Sequence, residues 1–188
     1  MRCFIALPIP QQVMEDLDAF CEPRRQALPD VRWSDPLGWH LTVAFLPDVA
    51  QEDQDDLEAR LAVAASRRRP MQLNLHQGGA FPDALSATVL WTGVTGTART
   101  LSELDHLASG CRNAAAVAGT GVQGGRFLPH VTLARFVQPR NVVSLLEVLA
   151  LYSGPTWRAE SVRLIASHLG EGPHRRPRYE TLAEFPLG

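Results

Sequence analysis

The hydrophobic residues of this chain fall into short blocks rich in β-branched and aromatic side chains, with turn formers at their ends. Such blocks predict strands over 2–7, 40–46, 71–76, 86–92, 130–137, 161–167 and 178–185. Between them, apolar residues recur every three or four positions, the spacing of one helix face. Segment 51–68 begins acidic and ends basic, as the helix dipole favours, and aligns Leu57, Leu61 and Ala64 or Ala65 on one stripe. In 97–119 the helical spacing runs through Leu101, Leu104, Leu107 or Ala108, and Cys111, and stops at Gly119. Segment 141–155 reads as a third helix, capped by Asn141 and ended by Gly154 and Pro155, and 10–28 as a fourth.

Strand spacing is irregular, and no glycine-rich strand-to-helix turn of the dinucleotide-binding kind occurs. The pattern therefore predicts an α+β fold with antiparallel or mixed sheets. Two loops, the glycine-rich 119–129 and the arginine-loaded 170–178, are placed to border a ligand site.

One pattern occurs twice. "HLTVA" starts at His40 and "HVTLA" at His130, each followed by more apolar residues, which suggests a duplicated half-domain. Strand alternation puts His40, Thr42 and Ala44 on one face and Leu41, Val43 and Phe45 on the other. His130, Thr132 and Ala134 likewise oppose Val131 and Leu133. A single such histidine is more often a strand-end residue satisfied by a backbone carbonyl. Two copies of an imidazole beside a hydroxyl are costly to bury without partners, and approximate two-fold symmetry would let both polar faces meet across one cleft.

Facing histidines suit in-line displacement at phosphorus. One takes a proton from the attacking water, the other gives one to the leaving oxygen, and imidazole titrates in the range that allows either role. The two threonine hydroxyls then donate to the non-bridging oxygens as charge grows there. Zinc is the rival reading, but no carboxylate or cysteine stands at ligand spacing near either histidine, and threonine is a poor zinc ligand.

Composition narrows the field. With 188 residues, 45% hydrophobic and 20% charged, the chain is expected to form one globular domain over 1–188, or two tightly joined halves. The opening "MRCFIALPIP" is too short and too broken by proline for a membrane span or leader, and reads as a first strand. Three widely spaced cysteines suggest neither a disulfide framework nor a metal knuckle, and fit a reducing cytoplasm. All 18 basic residues are arginine. Without lysine there is no Schiff base, no lysyl-adenylate and no Gly-Lys-Ser/Thr phosphate loop, so a nucleotide-activating ligase is disfavoured. A net charge of -2 argues against coating long nucleic acid but leaves room for a local anion site.

At these residues the chain resembles the 2H phosphoesterase superfamily, in particular the bacterial and archaeal RNA 2',3'-cyclic phosphodiesterases, also called 2'-5' RNA ligases. The resemblance runs nearly end to end, through "RCFIALPIP", "VRWSDPLGWHLTVAFLPDV", "RFLPHVTLARF" and "VRLIASHLGEGPHRRPRYETLAEFPL". It departs at Pro47, where the family usually has glycine, in a loop beside the cleft. It implies two pseudo-symmetric lobes, each an antiparallel sheet with helices outside, and a central groove between them. It also implies metal-independent, cofactor-free hydrolysis of RNA 2',3'-cyclic phosphate ends to 2'-phosphates, with a weak reverse 2'-5' ligation of tRNA-type halves. Carried over by position, His40 with Thr42 and His130 with Thr132 are the catalytic pairs, His130 as base and His40 as acid, exchanging roles in ligation.

Arg135 matches a common family arginine, yet alternation sets it opposite His130. Either a bulge turns it inward to bind substrate or it is a surface residue. Phe4 is either a wall for a terminal base or core. Arg175, Arg176 and Arg178 are candidate phosphate forks or plain solvated surface. Arg67, Arg68 and Arg69 read as a helix-end cluster, His106 as a solvated helix residue and His76 as a strand end, while His168 and His174 flank the arginine loop. The expected partners are RNA 3' ends, tRNA-like, or cyclic nucleotides, acted on by a cytoplasmic monomer with no membrane and no obligate protein partner. The competing class is a non-catalytic RNA-end or nucleotide-binding module using the same groove.

Overall fold

A computed structural model describes residues 1–172 and 176–188. Its elements run β1 (Cys3–Pro8), α1 (Gln11–Ala27), β2 (Arg32–Trp33), β3 (His40–Leu46), α2 (Gln54–Ser66), β4 (Met71–Phe81) and β5 (Ala87–Thr95). There follow α3 (Ala98–Val117), β6 (His130–Arg140), α4 (Val143–Leu149), β7 (Ser153–Ala159), β8 (Ser161–His168) and β9 (Arg178–Pro186). Two sheets result, ordered β3-β1-β8-β9 and β2-β6-β5-β4-β7, with every pairing antiparallel. The expected α+β architecture, with antiparallel sheets and outer helices, is the one found.

The internal duplication has a topological form. The run β1-α1-β3 and the run β5-α3-β6 each make two neighbouring strands of one sheet, ending in the strand that begins with histidine. The linking helices cross over: α1 packs on β7 of the second sheet, and α3 packs on β3 of the first. Leu57, Leu61 and Ala65 of α2, and Leu104, Leu107, Ala108 and Cys111 of α3, form the buried stripes that their spacing predicts. Removing one such leucine side chain from water contributes about 1.5–3 kcal/mol. The crossing helices hold the sheets so that β3 and β6 meet at their seam.

Two stretches differ from the pattern-based expectation. The helix over 141–155 stops at Leu149, although Asn141 Oδ1 does accept from the Val143 N–H at 3.1 Å. Gly154 and Pro155 lie inside β7, an edge strand, at a register shift against β4 between Asn74 and His76. A proline with no N–H is tolerated at such an edge irregularity, so it does not mark a helix end here. The strand expected over 71–76 continues to Phe81, because Gly78 and Gly79 are close-approach positions and not a turn. A Cβ at Gly79 would run into the Trp91 indole, and one at Gly78 into Leu149. The bulge there leaves Gln77 at φ 54°, which shifts the register but keeps the ladder. His76 therefore lies within a strand.

Candidate active site

Both His-x-Thr strands carry a bulge at the same place. On β1, consecutive residues Ile5 and Ala6 pair with Ala44 and Thr42, leaving Val43 without an opposite partner. On β5, Leu90 and Trp91 pair with Ala134 and Thr132, leaving Leu133 extra. One inserted residue reverses the alternation beyond it. Ala44 and Ala134 therefore turn into the core, while Phe45 and Arg135 join His40, Thr42, His130 and Thr132 in lining one groove. Of the two readings left open for Arg135, the inward one is found. The simple alternation that paired Ala44 with His40 and Ala134 with His130 is corrected by these bulges.

The groove has a volume of about 690 Å³. On its two sides the histidines are held alike. The His40 Nδ1–H donates to the Gly38 carbonyl at 2.6 Å, and the His130 Nδ1–H to the Leu128 carbonyl at 2.7 Å. A carbonyl only accepts, so each ring carries its neutral proton on Nδ1 and is left with Nε2 for other chemistry. Phe4 stacks under His40 with centroids 4.3 Å apart, and Tyr179 meets the His40 ring edge-on at 5.4 Å. Phe81 and Trp91 stand around His130 at 5.1 and 5.8 Å. Aromatic packing and one carbonyl thus fix both rings.

Burial pushes the His40 pKa down from 6.5 to about 4, with the Gly38 bond opposing and Arg135 and His130 adding. Burial also lowers His130, opposed by the Leu128 bond and helped by Arg135. The neutral imidazoles are ready bases. Either becomes an acid when a bound anion offsets its desolvation and the arginine beside it. Between pH 6.5 and about 4 the unfolded chain binds a proton at His40 that the folded chain does not. This residue's contribution is therefore complete above the upper value and lost as pH falls, by on the order of 3 kcal/mol. Urea unfolding of wild type and His40→Ala at about pH 7 and about pH 4.5 checks this. Wild type should lose more stability on acidification, and equal losses would refute it.

The other candidates are placed as follows. Phe4 is 4% exposed, with His40 stacked on one face and Tyr179 edge-on beside the pair, so of its two readings the core one is found and the wall for a base is corrected. Arg178 is taken by Glu171 at 2.9 Å and Glu180 at 3.4 Å, and does not line the groove. Its neighbour in the alternation, Tyr179, does. Arg176 lines the groove near Asp35, at 3.9 Å, whereas Arg175 and His174 lie outside the described residues. Loop 170–178 borders the groove through Gly170, Arg176 and Pro177. Loop 119–129 instead runs along the free edge of β3, where the Gln123 N–H donates to the Phe45 carbonyl at 2.9 Å, and Gly121 lies beside Pro47. Arg68 reaches Glu103 at 3.8 Å beyond α2, and His106 is exposed on α3. His168 pairs with Glu180 at 2.9 Å.

Comparison with known proteins gives this groove a context. Residues 7–91 match the family model described as LigT-like phosphoesterase. The RNA 2',3'-cyclic phosphodiesterase of Aeropyrum pernix is 30% identical over 149 residues, which is 77% of this chain and 82% of the relative. The chain belongs to the LigT-like phosphoesterase family. Geobacillus stearothermophilus has an RNA 2',3'-cyclic phosphodiesterase 27% identical over 98% of this chain, which spans 56% of that relative's length. LigT of Escherichia coli shares the fold, with a TM-score of 0.77 at 24% identity over 99% of this chain and 96% of that one.

Some groove residues of this LigT-like phosphoesterase escaped sequence reasoning. Alternation assigns Phe45 to the opposite face, whereas it lines the groove with the Arg2 guanidinium over its ring at 4.4 Å. Arg32, on β2, is the direct cross-strand partner of Arg135. Tyr179 packs against Gly38, where a Cβ would come within 3.2 Å of its ring. The "VRW" stretch held the signal for Arg32, but the two residues of β2 are too few to show strand alternation, whereas "RYE" opens the predicted strand 178–185, whose alternation separates Tyr179 from Arg178. Leu37 and Leu169 are 86% and 62% exposed on the groove wall, an apolar rim beside cationic groups. No helix among the described residues is long and apolar enough to cross a membrane.

Proposed function

We propose that the chain hydrolyses 2',3'-cyclic phosphate at RNA 3' ends to a 2'-phosphomonoester by acid-base catalysis from two histidines, without a metal or cofactor. The observation that carries this reading is the matched pair of Nδ1-anchored imidazoles lining one groove with two threonines. The names of relatives such as the Aeropyrum pernix enzyme agree with it. In the proposed reaction His130 Nε2 takes a proton from water as the water oxygen bonds to phosphorus. The bond from phosphorus to O3' breaks, and His40 Nε2–H gives its proton to that oxygen. The Thr42 and Thr132 hydroxyls and the Arg135 guanidinium meet the charge on the non-bridging oxygens. With a 5'-hydroxyl in place of water as the attacking group, the same step joins two RNA ends through a 2'-5' linkage as the bond to O3' breaks, and the histidines exchange roles when O3' attacks that linkage and expels the 5'-hydroxyl.

We further take residues 1–188 as one functional unit, since β1 and β9 belong to the same sheet, and propose that it acts as a monomer. Cyclic mononucleotides are the minimal form of the same substrate. Three free, buried thiols suit the reducing cytoplasm this reading assumes. The test is product analysis with an oligonucleotide ending in a 2',3'-cyclic phosphate, resolving 2'- from 3'-phosphate. A 2'-phosphate product, formed equally well with chelator present, is expected. Tight binding without any phosphomonoester would instead support the binding-module alternative.

A further inference from the structure

We propose that Arg32 holds the phosphodiester on the 5' side of the reacting nucleotide, which makes the groove selective for oligonucleotide ends over cyclic mononucleotides. This rests on the function proposed above and adds a second anion site to it.

Arg32 and Arg135 are directly opposed in the β2–β6 ladder, so their side chains leave the same face. Like charges in that position are destabilising unless something anionic lies between or beside them. Among the described residues, neither guanidinium has a carboxylate within 4.0 Å. The groove's own acidic residue, Asp35, faces Arg176, and its side chain already accepts from the Leu37 N–H at 3.0 Å. The groove's three arginines thus exceed its carboxylate.

The backbone that carries Arg32 is fixed in place. Trp33 is buried, its indole N–H donates to the Leu28 carbonyl at 3.2 Å, and the Ser34 N–H donates to the Leu133 carbonyl at 2.8 Å. Leu133 is the bulged residue, so the irregularity that turns Arg135 inward also anchors β2. Along β5, the partner of Arg135 is Val89 and that of Thr132 is Trp91. These lie two residues apart, about 7 Å along a strand. That is comparable to the step between successive phosphates of an extended nucleic acid strand. A phosphate held at the threonines would thus place its 5' neighbour level with the row that Arg135 and Arg32 share, with Arg32 one strand further out from β5. A guanidinium offers paired N–H donors to such a diester, and its effect is felt only by substrates that have one.

The experiment compares kcat/KM for a trinucleotide ending in 2',3'-cyclic phosphate with that for 2',3'-cyclic AMP, in wild type and Arg32→Gln. The expected result is a fall of about tenfold in the trinucleotide-to-mononucleotide ratio, the scale of one charge-assisted contact. The salt dependence of log kcat/KM for the trinucleotide should also flatten by ~0.7, the loss of one single-strand phosphate contact. An unchanged ratio would overturn the proposal, since a merely solvated or structural arginine would affect both substrates alike. If wild type turns over neither substrate, the proposed activity fails, and binding of 2'-phosphate-ended trinucleotide against 2'-AMP reads the same ratio. A loss confined to the trinucleotide then still supports the second anion site, and equal losses reject it.

Discussion

Alanine at His40 or at His130 should each lower turnover of a 2',3'-cyclic phosphate by at least ~10²-fold, the lower end for a positioned acid or base. The two losses should be similar, because the rings are held in matching ways by a carbonyl two residues back. They should also be far from additive. Once one proton transfer is gone, the partner has no concerted step to assist, so the double variant should fall well short of the product of the single effects. Steady-state rates, with far-ultraviolet circular dichroism to establish that each variant folds, check this. Full activity in either variant would end the two-histidine mechanism.

Removing the Arg135 guanidinium should have the next largest effect. Arg135→Ala is expected to lower kcat/KM by ~10²-fold, as loss of a donor aimed at developing charge does. Its pH profile should move as well. The cation disfavours the imidazolium form of both histidines, though burial remains the larger cause. In wild type the bell of kcat/KM against pH should therefore centre on the acid side of the ordinary histidine value, 6.5. Without Arg135 both imidazoles gain protons more readily, so the bell should shift toward higher pH. A rate loss with no such shift would show that the arginine acts on substrate alone. An unchanged rate would return Arg135 to the surface role that strand alternation assigns it.

Local pattern was enough for much of this molecule. The doubled His-x-Thr, the helix stripes of α2 and α3, and seven of the strands were legible because each depends on residues two to four positions apart. The same locality explains what was misread. The strand expected over 71–76 runs on to Phe81 because the Trp91 indole and Leu149 lie over Gly78 and Gly79. Gly154 and Pro155 look like a helix stop until β4 is found beside them. Strand β2 has too few residues to announce itself, and it exists because β6 supplies its partners.

The site divides in the same way. The sequence alone determined that two imidazoles and two hydroxyls share polar strand faces, since side-chain parity over two residues needs no partner. Which residues lie beyond them was decided by tertiary structure. Bulges at Val43 and Leu133 arise only in register against β1 and β5, and they bring Phe45 and Arg135 into the groove while burying Ala44 and Ala134. The covering of Phe4 by His40 and Tyr179 likewise depends on strands brought together from opposite ends of the chain, whereas Arg178 is taken by Glu171 and Glu180 from its own hairpin. Alternation is a property of one strand, whereas register belongs to two, and a single extra residue in the second is enough to reverse what the first presents.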